Sequence, residues 1–176
     1  MGFFYLFRGG NPVTRLQTIE LKEYEIQEIN GEFERVLINS EKHPLFFSNR
    51  SLLVGKQMGI LERGLEQELY SLLAALDPNT LNAVTNGMNV ESAQLLALME
   101  VISLDHMNDI IWLAYIGAKS NECLDNEDFK ERFNEDFQTT VLIYMQLLTS
   151  NFQKQNKNKF KEGLSKSIAS IKGGKK

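Results

Sequence analysis

Apolar residues recur at three- and four-residue steps along much of the chain, and the faces they make predict its elements. Leu61, Leu65, Leu69, Leu72, Leu73 and Leu76, with Glu62, Glu66 and Glu68 interspersed, read as an amphipathic helix. Phe129, Phe133, Phe137, Val141, Tyr144 and Leu148 form a second stripe, on one long helix started by Asp125 or Asn126. Between these, Asp77-Pro78 opens a short helix that Gly87 stops, and Asn89 begins another through Leu95, Leu96, Met99 and Ile102. Ser103 or Asp105 caps a helix reading "DHMNDIIWLAYIGA", and Ser48 caps "NRSLLVGKQM", which Gly55 and Gly59 weaken.

Residues 2–47 favour β structure instead. "FFYLF" breaks at Gly9, Gly10 and Pro12, and "LQTIELKEYEIQEI" runs into Asn30-Gly31 before "EFERVLI". Asn-Gly tolerates the positive φ of a type I′ turn, so a hairpin is expected there, with Tyr24 opposite Leu37 and Ile26 opposite Arg35. Glutamate is a poor strand former, and the competing reading of the Glu-rich part is a helix. After Pro44, "LFF" adds one more short strand. The expected fold class is mainly α (α+β): an N-terminal antiparallel β segment over residues 1–47, a helical array over 48–150 and a basic tail over 151–176.

The tail changes the picture. From Asn151 onward eight lysines stand against one acid, Glu162, a net +7 that leaves −11 on residues 1–150 of a chain whose total is −4. Phe160, Leu164, Ile168 and Ile171 fall on one helical face among these lysines, so the segment is expected to be flexible alone and helical when docked. The acidic body opposes nucleic acid as its target, and the narrow apolar face opposes a membrane surface. Docking onto an acidic protein surface, such as another copy of this body, fits the charge split best; a solubilising tail remains the plain alternative.

Composition excludes several classes. Hydrophobic content of 43% against 24% charged residues is that of a globular chain with a real core. Cys123, the single cysteine, closes no intramolecular disulfide, and with only His43 and His106 beside it there is no zinc quartet. The longest apolar run, Ile110 to Ala118, falls far short of the roughly 20 residues of a membrane span. "FFYLF" lacks a basic leader and reads as a strand rather than a signal peptide.

Candidate chemistry is concentrated in Asp105, His106 and Asp109. Aspartates in a first helical turn are favoured by the free N–H groups there whatever the protein does, and His106 has no second histidine or cysteine at ligand spacing, so a capped packing helix is preferred to a metal or acid–base site. No phosphate-binding glycine loop and no nucleophile–base pair is present in the pattern. No catalytic residue, metal or cofactor is expected. The second half of that helix, with Ile110, Trp112, Leu113, Tyr115 and Ile116, has almost no polar face; it is either the central helix of the domain or an interface, and the central role is preferred.

A strand entering "PLFFSNRSLL", a leucine-rich helix, and then "DIIWLAYIGAK" followed by "NECLDNEDFKERF" together resemble the tail assembly chaperones of long-tailed bacteriophages of Gram-positive hosts, over residues 19–148. The resemblance implies assembly without chemistry: binding of the long, helical, aggregation-prone tape measure protein in the host cytoplasm while the tail tube polymerises, contact with the tail tube protein, and absence from the mature virion. It also fits a homo-oligomer. Apolar grooves between helices would receive such a client, with Trp112, Tyr115, Ile116, Phe137 and Tyr144 as groove or self-association residues and Phe160, Leu164 and Ile168 as the docking face of the tail. Met58, Met88, Met99, Met107 and Met145 suit adaptable packing, though an ordinary core accounts for most of them. The alternative is a structural tail or neck component, or a self-assembling helical adaptor, retained in the particle.

Overall fold

The computed structural model describes residues 16–62, 64–75, 102–119 and 121–155. The strand at "FFYLF", the helices expected after Asp77-Pro78 and Asn89, and the tail face of Phe160, Leu164 and Ile168 lie outside these. Within them, β1 (Gln17–Ile29) and β2 (Glu32–Leu45) precede α1 (Asn49–Gln57), α2 (Leu65–Ala75), α3 (Leu104–Ala118), α4 (Asn126–Arg132) and α5 (Phe137–Gln155), a mainly α arrangement with one antiparallel hairpin.

Asn30 and Gly31 both adopt positive φ, 54° and 83°, and turn the chain between the strands. The pairing sets Tyr24 opposite Leu37 and Ile26 opposite Arg35, the register expected of an Asn-Gly turn. A bulge interrupts the ladder where Glu23 pairs with Asn39 and Tyr24 with Leu37, which leaves Ile38 as the extra residue. Glutamates fit these strands because Glu25, Glu28, Glu32 and Glu34 are all exposed, and strand preference largely measures packing rather than backbone. "LFF" makes no third strand. Leu45 ends β2 opposite Gln17, and the Phe46 amide donates to the Ala114 carbonyl of α3 at 2.9 Å, which takes the backbone out of the ladder.

Ser48 caps α1 through a reciprocal pair: its hydroxyl accepts from the Ser51 amide at 3.2 Å, and the Ser51 hydroxyl accepts from the Ser48 amide at 3.1 Å. Gly55 serves close packing rather than weakness, since a Cβ there would lie 2.6 Å from Leu113 Cδ1. The leucine-rich helix begins at Leu65, not Leu61; Leu61 is buried in the preceding turn, where its amide donates to the Gly55 carbonyl.

The long C-terminal helix is two helices. Asp125 caps α4, whose last turn ends at Phe133 with ψ 82°. The Asp136 carboxylate then accepts from the Thr139 amide at 2.8 Å and from its hydroxyl at 3.0 Å, starting α5 afresh. Short polar side chains compete in this way with helix continuation, so the phenylalanine stripe crosses a break. These bonds hold the Asp136 carboxyl below the usual carboxylate range.

The core is organised around α3, which packs against α1, α4, α5 and β2. Met107 and every residue from Ile110 to Tyr115 are buried, so the helix without a polar face is the central one.

Candidate functional site

The aromatic end of α3 holds the chain together from inside. Trp112, Tyr115 and Tyr144 are buried within the fold, while Ile116 and Phe137 are half-buried against the same core. Buried tyrosine and tryptophan need partners for their polar atoms. Both find them on one residue: Trp112 Nε1 donates to the Leu124 carbonyl at 3.1 Å, and the Leu124 amide donates to the Tyr115 hydroxyl at 3.4 Å. The two rings thereby pin the connection that leads to the Asp125 cap of α4. Tyr115 also meets His43 edge-on at 5.4 Å and Phe129 at 5.2 Å, and Phe129 stacks on Phe133. Met107 and Met145 belong to this core and Met58 is exposed; Met88 and Met99 lie outside the described residues.

The polar start of α3 is tied to its neighbours. Lys130 of α4 reaches Asp105 at 2.6 Å and Asp109 at 2.7 Å, and Asn126 Nδ2 donates to Asp109 at 2.8 Å. Burial alone would lower the Lys130 ammonium, but these hydrogen bonds and charges outweigh it and raise its pKa. His106 meets Glu68 of α2 at 3.1 Å instead; the Tyr144 hydroxyl donates to the same carboxylate oxygen at 3.4 Å. Burial, with the Glu68 charge beside it, pushes the Tyr144 hydroxyl far up, so it remains a neutral donor. Asp105, His106 and Asp109 therefore do not converge on one point. Among the described residues no group of three or more His, Cys, Asp and Glu side chains is placed to hold a metal ion.

The two histidines titrate in opposite directions. The hydrogen bond to Glu68 raises His106 above its ordinary 6.5 against the opposing effect of burial, helped by the charges of Asp109 and Asp105. Burial lowers His43, aided by Lys119 and resisted by Glu41. The His106 contribution to stability is complete below about pH 6.5 and is lost as pH rises through its raised pKa. That of neutral His43 is present above about pH 6.5 and is lost as pH falls through its depressed pKa. NMR titration is expected to place the His106 midpoint above that of His43. His106→Gln should flatten the loss of stability on the alkaline side, and His43→Gln the loss on the acid side; a His106 midpoint at or below the random-coil value contradicts its pairing with Glu68.

A small cleft of about 80 Å³ lies between the hairpin and the end of α3, lined in part by Glu23, Glu41, His43, Lys119, Glu122 and Arg132. Its charges close partly on each other, with Arg132 3.6 Å from Glu23 and His43 3.5 Å from Glu41. Beside it the strand-to-helix junction meets α3: a Cβ on Gly117 would overlap the Phe46 carbonyl oxygen and lie 2.7 Å from Ser51 Oγ and 2.9 Å from the Ser48 nitrogen. Only a hydrogen fits there.

No family model, curated protein or solved structure matches the chain.

The register read from the sequence implies a half-apolar face on the hairpin; what that reading missed is that the far half stands exposed. Residues 25–35 are all exposed, and they include Ile26 and Phe33 at 74% and 78%. The pattern of β1 carries the signal. Ile19 and Leu21, at odd positions, are buried, whereas the apolar residues that follow, Tyr24 and Ile26, are at even positions and point to the opposite face of the sheet.

Proposed function

We propose that the protein is a non-enzymatic assembly chaperone of a long-tailed phage, which binds the tape measure protein, keeps it soluble in the host cytoplasm while the tail tube assembles around it, and leaves before the tail is complete. The observation that carries this reading is the joint between the two stretches on which the resemblance rests. "PLFFSNRSLL" and "DIIWLAYIGAK" are far apart in sequence, yet Phe46 bonds to Ala114 and the junction at Ser48 and Ser51 closes on Gly117. Residues that interlock in this way give both motifs a structural role that needs no chemistry.

Client contact in this reading falls to exposed side chains rather than to the buried aromatic residues. Trp112, Tyr115 and Tyr144 are already satisfied inside the fold, so this reading assigns client contact to exposed apolar side chains such as Phe46 at 45% and Leu53 at 57%. Exposed apolar side chains suit contact with the apolar face of an amphipathic helix. Co-expression tests the reading: the tape measure protein is expected to be soluble and to co-purify with this chain, and to aggregate without it. Equal solubility in the two cases rejects the proposal.

A further inference from the structure

We propose that the distal half of the hairpin is the receptor for the lysine-rich C-terminal segment, residues 156–176, of a second copy of this chain, docked as an amphipathic helix. This names an interface for self-association within the reading above, and it is testable with no client present.

The argument begins with the switch of faces in β1. Near the body the strand buries Ile19 at 3% and Leu21 at 5% exposure. Beyond the bulge the same face carries Glu23, Glu25 and Gln27, and the other carries Tyr24, Ile26 and Glu28, opposite Leu37, Arg35 and Phe33, with the Arg35 guanidinium over the Tyr24 ring at 3.8 Å. Ile26, Phe33 and Leu37 are 74%, 78% and 50% exposed. A two-stranded ribbon is marginal in water unless its apolar face packs on something, and a helix laid across it is one of the two standard solutions. The ribbon here is long, and one face of it exposes Ile26, Phe33 and Leu37 around Arg35 and Glu28, uncovered by the described residues.

Charge selects the occupant. From Glu23 to Arg35 there are five acids against one arginine, a net −4; Glu28 and Arg35 share the face of Ile26 and Phe33, and the other four acids stand on the opposite face. Pairing two such arms edge to edge would set these carboxylates against each other, which is unfavourable. Residues 156–176 carry seven lysines against Glu162, around the apolar positions Phe160, Leu164, Ile168 and Ile171 at helical spacing. The arm is net acidic and the segment net basic, and both carry apolar side chains.

Reach assigns the segment to another copy. Lys22 lies 3.2 Å from Glu135 just ahead of α5, whereas Gln17, at the hairpin base, bonds to Ile143 and Gln146 within it. So α5 runs from the middle of the hairpin toward its base and carries the chain away from the tip. From Gln17 to Ile29 the strand spans about 40 Å, and α5 continues about 14 Å past Gln146. As a helix, residues 156–176 extend about 30 Å. A chain's own helical segment therefore falls short of its own tip, and a neighbour's does not.

Such contacts are head-to-tail, and each copy uses two different surfaces. A single short helix on a two-stranded arm is a small interface of the kind found in weak encounters, so sedimentation equilibrium is run at about 100 µM. Two full-length variants separate the surfaces: Ile26→Glu with Phe33→Glu on the arm, and Leu164→Asp with Ile168→Asp in the tail, each checked for native circular dichroism and melting. The wild type is expected to self-associate, more weakly as salt rises from about 0.1 M to about 0.5 M. Each variant should weaken that association at least about tenfold. A one-to-one mixture of the two, which retains one good arm and one good tail, should form a dimer and stop there. A monomeric wild type, a tail variant that still associates, or a mixture that stays monomeric each overturns the proposal. None of these outcomes bears on tape measure binding, which the co-expression experiment reads separately.

Discussion

Gly117→Ala is expected to destabilise the protein by about 3 kcal/mol or more, lowering its Tm by about 10 °C. Helix propensity alone predicts the opposite sign, because alanine inside a helix is favoured over glycine by about 1 kcal/mol. Two observations reverse it. The added methyl would overlap the Phe46 carbonyl oxygen, which is backbone and cannot rotate away, and it would press on Ser51 and Ser48 of the α1 cap. Relief requires α3 to withdraw from the strand-to-helix junction, which would break the Phe46–Ala114 hydrogen bond and disturb the capping box together. Overpacking against backbone belongs to the short list of mechanisms behind large single-residue effects. Thermal and denaturant unfolding measure it; a neutral or stabilising Gly117→Ala means that the close approach of α3 to this junction is wrong.

Tyr115→Ala is expected to cost about 3–5 kcal/mol, the range for removing a buried aromatic ring from a packed core. The ring is 1% exposed and touches three layers at once: His43 from β2, Phe129 from α4, and Leu124 through its hydroxyl. Tyr115→Phe separates packing from hydrogen bonding. It keeps the ring and leaves the Leu124 amide without its partner, at a cost of about 1 kcal/mol. Denaturant unfolding of the two variants gives both figures. A loss below about 1 kcal/mol for Tyr115→Ala would return this ring to the docking surface for which its sequence context had nominated it. The same reasoning covers Trp112 and Tyr144, and explains why an aromatic-rich helix without a polar face is an ambiguous signal: core and interface impose the same composition on a sequence.

Features that depend on a few neighbouring residues were legible in the chain itself. Asn30-Gly31 fixed the hairpin and its register, because only residues that tolerate positive φ close a two-residue turn with the right twist. Ser48, Ser103 and Asp125 marked helix starts through bonds to amides three residues on. The break at Asp136 was hidden, since the apolar stripe continues across it with unchanged spacing while a local capping bond ends one helix and begins the next.

Tertiary structure alone decided the rest. Gly55 looks like a helix defect, and Gly117 draws no notice, until the leucine or backbone that approaches each is known. Asp105 and Asp109 look like a site until Lys130 arrives from α4, and His106 until Glu68 arrives from α2. The physical reason is common to all of them. Turn and cap energies come from atoms within four residues and are written in the local sequence. Burial, charge pairing and close backbone approach depend on which distant segments share a surface, and that is set only once α3 lies at the centre of the fold.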